Sequence, residues 1–101
     1  MRASFLFMRL DIFLKLSRLI PRRPLAKKFA DAGLICVNGA PAKSSKDIAV
    51  GDTIEIDRYD RITKVEVIKV PKTKQTSKKD AAELYRLIED RRQDPIFDQA
   101  E

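Results

Sequence analysis

Leu10, Phe13, Leu14 and the small Ser17 recur at i, i+3, i+4 and i+7, the spacing that places side chains on one face of a helix. A first helix is therefore expected from about Leu10. Pro21 should stop it, because proline lacks an amide donor and disfavours helical geometry in the residue before it. Pro24 suits the first turn of a second helix, where the missing N–H would be unpaired anyway. That helix is expected to present Leu25, Phe29 and Ala32 on one side and to end at Gly33, a natural left-handed cap.

Beyond Gly33 the period shortens. Leu34 to Val37 reads as a strand, Asn38-Gly39 as a tight turn, and Ala40 to Lys43 as the returning strand. Ile48 and Val50 lead into a second turn at Gly51-Asp52. Thr53 to Asp57 then alternates like a half-buried strand, Tyr59-Asp60-Arg61 turns again, and Lys64 to Val70 forms another strand. Pro71 to Lys79 is polar and basic, as linkers are. Ser77 with Asp80 resembles a helix-capping pair, and Ala81, Leu84, Tyr85 and Ile88 make a narrow helical stripe, so a C-terminal helix is expected to about Gln93. The fold class is α+β: two N-terminal helices, a small mostly antiparallel sheet, and a short C-terminal helix. The expected divisions are an extension at 1–7, a domain at 8–70, a linker at 71–79, and a helix with its tail at 80–101.

Charge sharpens this picture. The chain of 101 residues carries a net +6, but the excess is concentrated. Residues 1–30 hold Arg2, Arg9, Lys15, Arg18, Arg22, Arg23, Lys27 and Lys28 against Asp11 alone. Residues 31–70 are close to neutral, and 71–101 carry seven charges of each sign. Such concentration suits a face that meets a polyanion. Arg22 and Arg23 fall at the mouth of the second helix, where backbone N–H groups also favour phosphate.

The same composition argues against an enzyme. Histidine, the commonest general base and metal ligand, is absent. Cys36 is the only cysteine, so neither an intrachain disulfide nor a multi-cysteine zinc site can form; its apolar neighbours Ile35 and Val37 suggest a buried thiol in a reducing, cytoplasmic setting. Three glycines form no phosphate-cradling loop. No cofactor and no metal are expected. Phe5-Leu6-Phe7 is too short an apolar run for a signal segment, and no membrane partner is expected.

The ordered pattern Met8-Arg9-Leu10-Asp11-Ile12-Phe13-Leu14, Ser17-Arg18-Leu19, Arg22-Arg23-Pro24-Leu25-Ala26, Gly33 to Gly39, and Val50-Gly51-Asp52-Thr53-Ile54 strongly resembles the S4-like RNA-binding domain. The total length and the stretch Lys79 to Tyr85 look most similar to the RqcP (YabO) family, related to a ribosome-associated heat-shock protein with a longer basic extension. That resemblance implies an RNA-binding factor in ribosome-associated quality control. It would bind large-subunit ribosomal RNA and peptidyl-tRNA as a monomer, while a partner factor that recruits alanyl-tRNA extends the stalled peptide. A heat-shock or ribosome-assembly factor is the alternative. The family's pattern places RNA contacts at Arg9 and Arg23, with Arg18 and Arg22 at neighbouring basic positions and Lys43 on the same face; Lys27 and Lys28 join them on charge and helix position. Arginine suits the task because its planar fork grips phosphate with two hydrogen bonds. Asp11 is expected to cap the first helix or to pair with an arginine, and Asn38 to form its turn. Two departures stand out. Seven residues precede Met8, where relatives begin, so either Met8 is the start or Phe5 to Phe7 add a hydrophobic contact. Pro24 stands where relatives carry serine or threonine, which removes a hydroxyl contact there.

Overall fold

A computed structural model describes residues 7–58, 60–71 and 77–92. All but Phe7 of the expected extension at 1–7, the turn residue Tyr59, most of the linker and the tail beyond Arg92 lie outside the described residues. Helix α1 (Leu10–Leu16) buries Leu10, Phe13 and Leu14 completely, as the stripe requires. It ends earlier than Pro21 would impose. Ser17 caps it and Arg18 takes a left-handed conformation (φ 65°), reversing the chain before the proline. Helix α2 (Arg23–Asp31) begins with Pro24 in its first turn, and Gly33 follows its end at φ 79°. Its buried face differs from expectation. Ala26 and Ala30 are buried with Phe29 half-buried, while Leu25 is 41% exposed and Ala32 is exposed. The small alanines allow α1 to pack closely, which outweighs burying the bulkier leucine.

The sheet follows the alternating segments. Strands β2 (Ile35–Val37), β3 (Ala40–Pro41), β5 (Thr53–Asp57), β6 (Arg61–Val67) and β7 (Tyr85–Arg92) pair antiparallel in the order β3-β2-β5-β6-β7. The two-residue turn between β2 and β3 has Asn38 and Gly39 at φ 54° and 89°, the left-handed pair that asparagine and glycine tolerate best. Two further short strands, β1 (Met8–Arg9) and β4 (Asp47–Ile48), pair with one another beside α1. One sheet face presents Ile35, Val37, Ile54, Ile56, Val65 and Val67 to the core shared with α1 and α2. Cys36 points to the other face, opposite Glu55, and is half-buried, not a core thiol as its neighbours suggested.

The C-terminal segment corrects the sequence reading most. Helix α3 spans only Lys78–Ala82, capped as expected by Ser77, whose Oγ accepts the Asp80 N–H at 3.0 Å. Leu84 is then buried in the common core, and Tyr85 to Arg92 continue as a strand instead of a helix. The reason is tertiary. β6 offers a seven-residue edge of unpaired backbone groups, and a matching strand satisfies them at once. A bulge at Lys64/Val65 absorbs one extra residue on β7.

Candidate nucleic-acid interface

The start of α1 is fixed from the side by the loop between β3 and β4. The Leu10 N–H donates to the Lys46 carbonyl at 2.8 Å, and the Asp11 N–H donates to the Ser44 carbonyl at 3.0 Å. These bonds satisfy first-turn donors that α1 cannot satisfy internally. They also bring the backbone of Ser44 and Lys46 against the start of α1. Asp11 is buried, at 4% exposure, and does not cap the helix: Arg9 occupies that position without a side-chain cap. Asp11 instead accepts from Arg9 (Nε at 3.3 Å, Nη2 at 3.1 Å) and from Arg23 Nη2 at 3.2 Å. One carboxylate thus holds two guanidiniums from two different elements.

Each arginine keeps about half its side chain exposed, 46% for Arg9 and 47% for Arg23, so both still have surface to offer a ligand. A buried carboxylate needs such partners to offset its desolvation. The arrangement fixes the spacing of two guanidiniums, groups whose geometry suits phosphate. Arg22 is exposed beside them as the residue preceding α2, a helix with no side-chain cap and no acidic residue in its first turn. The positive end of the helix therefore adds to the side-chain charge.

Arg9 and Arg23 meet at Asp11, and Arg22 adjoins Arg23 in the chain, whereas Lys43 lines a separate hollow beside the β2–β3 hairpin together with Lys46. Lys27 lies one turn along α2 from Arg23, but its ammonium pairs with Asp31 at 2.9 Å. Lys28 is exposed in the last turn of α2. Arg18 does not join the group. It sits at the opposite end of α1 and lines a separate hollow with Arg58 and Arg61. Lys46, which the sequence reading passed over, lies three residues from Lys43 in the same loop, its carbonyl accepting the Leu10 N–H. Asn38 has a structural role beyond its turn: Nδ2 donates to Asp52 at 3.2 Å and Oδ1 accepts the Thr53 N–H at 3.0 Å, tying the β2–β3 hairpin to β5. Among the described residues no group of histidine, cysteine and carboxylate side chains could hold a metal, and no helix is long and apolar enough to cross a membrane.

Residues 8–54 match the S4 domain model, the span that builds α1, α2 and this arginine cluster. A protein of Streptococcus pneumoniae named RQC P-site tRNA stabilizing factor is 46% identical over 85 residues, covering 84% of this chain and 94% of that protein. The chain belongs to the family of RQC P-site tRNA stabilizing factors. A Bacillus subtilis member is 43% identical over 83 residues, covering 82% of this chain and 94% of its own length. More distant members of the same name occur in Helicobacter pylori, at 36% identity over 73 residues, covering 72% of this chain and 87% of that protein. The fold is shared with a trimeric structure of Vibrio cholerae heat shock protein 15, at 27% identity and a TM-score of 0.73, covering 80% of this chain and 81% of that one. Membership in the stabilizing-factor family thus rests on alignments that cover 82–84% of this chain.

Proposed function

We propose that this chain is a non-enzymatic, cytoplasmic RNA-binding factor of ribosome-associated quality control. It acts as a monomer on the large ribosomal subunit, where it steadies peptidyl-tRNA while a partner that recruits alanyl-tRNA adds a C-terminal alanine tail to the stalled chain. The supporting observation is the Asp11 carboxylate that holds Arg9 and Arg23 side by side, half-exposed, at the centre of a basic surface. Two preset guanidiniums suit backbone phosphates of structured RNA, and Arg22, Lys43, Lys27 and Lys28 extend the contact. Arg18 serves the same RNA from the other end of α1. The relatives' name supplies the P-site tRNA, and their identity over most of the chain favours this reading over the heat-shock one suggested by the shared fold.

A factor of this kind positions and does not react, so its effect is read on the stalled complex. Deleting the gene should abolish or greatly reduce C-terminal alanine tails on stalled peptides. Arg9→Ala and Arg23→Ala should do the same at unchanged protein level. A heat-shock or assembly factor predicts normal tails with defective subunit maturation or heat recovery, and that result would overturn the tailing role.

A further inference from the structure

At the far end of α1 from the Asp11 cluster lies a hollow of about 340 Å³. Arg18, Arg58 and Arg61 surround it, with Asp90 as the one carboxylate in its lining. Asp90 is already engaged: it accepts from Thr63 Oγ1 at 3.1 Å and pairs with Arg61 at 3.5 Å. The lining therefore remains cationic. Its other walls are Leu19, Tyr85 and Leu87, an apolar and aromatic surface. Leu87 is 51% exposed and so gives the hollow an accessible apolar wall.

Arg58 gives the hollow a fixed feature. Its Nη2 donates to the Leu19 carbonyl at 2.8 Å, which pins the guanidinium between the end of α1 and the β5–β6 turn. Its Nε is, among the described residues, the buried side-chain polar atom left without a hydrogen-bond partner. An unpaired buried donor is costly, and the Leu19 contact holds it there. A cationic lining that also offers planar guanidinium, a phenol ring and leucine suits neither a bare phosphate nor a purely apolar partner. It suits a nucleotide, with phosphate on arginine and base against the flat and apolar surfaces. Its volume falls within the range of small-ligand sites.

We propose that this hollow receives a single unpaired nucleotide of the bound RNA, a second contact separate from the Asp11 cluster. The inference rests on the RNA-binding function proposed above and adds to it a preference for RNA with an extruded base. The seven residues of α1 hold the two contacts about 10 Å apart or more, so one RNA element can engage both. The site draws on β6 and β7, beyond the S4 match at 8–54.

The test compares two RNA hairpins, one with a fully paired stem and one identical but for a single bulged adenosine. Affinity of the full chain is read by fluorescence anisotropy. The wild-type chain should bind the bulged hairpin about tenfold more tightly, the scale of one base stacked on side-chain planes. Arg61→Gln and Leu87→Asp, both at half-exposed side chains, should bring that ratio close to one, and so should Arg58→Gln if it folds. Arg9→Ala should weaken binding to both hairpins and keep the ratio. A wild-type ratio of one, or a ratio that persists in Arg61→Gln and Leu87→Asp, overturns the inference and leaves the RNA-binding function standing. Failure of the wild-type chain to bind either hairpin overturns both.

Discussion

Asp11→Asn separates charge from placement in the basic cluster. Asparagine keeps the shape of the side chain but removes the anion that accepts three hydrogen bonds, two from Arg9 and one from Arg23. Counting charge alone, the variant is one unit more positive and should bind a polyanion more tightly, with a steeper salt dependence. The geometry gives the opposite sign. Once released, Arg9 and Arg23 must be ordered by the RNA, at about 0.5–1.5 kcal/mol for each side chain. For two side chains this outweighs one added, partly screened charge, and affinity should fall about tenfold. Stability should fall as well. Hydrogen bonds to a charged group contribute about 1.5–3 kcal/mol when buried, but both arginines are half-exposed, so about 1–2 kcal/mol is expected in total. For a domain of this size that lowers Tm by roughly 5–15 °C. Anisotropy titrations across a salt series, run well below both melting temperatures, measure the first effect, and thermal melts measure the second. A folded Asp11→Asn chain that binds RNA as tightly as the wild type, or more tightly, would refute the argument that Asp11 serves by placing the arginines.

Arg22→Ala combined with Arg23→Ala should abolish co-sedimentation with large ribosomal subunits while the chain stays folded, because Asp11 retains Arg9 as a partner; wild-type co-sedimentation would refute this face. Leu84→Ala should cost about 2–5 kcal/mol in denaturant unfolding, as for other buried leucines, because Leu84 is 2% exposed within the common core; a near-neutral effect would show that the C-terminal segment folds apart from the domain. Deleting residues 1–7 should leave RNA affinity and Tm nearly unchanged, since Arg9 and the α1 stripe remain; a loss of several degrees in a melting scan would reveal a packing role for Phe5 to Phe7.

Where local chemistry and burial agree, the sequence was sufficient. The Leu10, Phe13, Leu14, Ser17 stripe can bury its apolar side only as a helix, and all four residues are buried. Thr53 to Asp57 alternates with a period of two, and its apolar positions Ile54 and Ile56 face the core. Pro24, Gly33, Asn38-Gly39 and the Ser77–Asp80 cap each carry a conformational preference in one or two residues, and each sits where that preference applies. The concentration of charge in the first 30 residues likewise needed no coordinates, since net charge follows from composition.

Tertiary structure decided what depends on neighbours distant in sequence. Ala81, Leu84, Tyr85 and Ile88 satisfy a helical stripe, yet they also contain a strand. The open edge of β6 selected the strand by pairing its backbone groups, an energy no local window contains. The buried face of α2 shifted from Leu25 to Ala26 and Ala30 because the approach of α1 rewards small residues there. Cys36 left the core because its pairing with Glu55 fixed which sheet face it points to, and a strand of three residues bounded by turns does not announce its register. The separation of Arg18 from Arg9 and Arg23 was likewise beyond the sequence. Arg9 and Arg18 lie on the same basic stretch, but the left-handed residue at position 18 and the fold of β5, β6 and β7 send it to another hollow. Asp11 meets Arg23 only because α1 and α2 pack side by side, and that contact across 12 residues gives two arginines of a basic segment a fixed geometry.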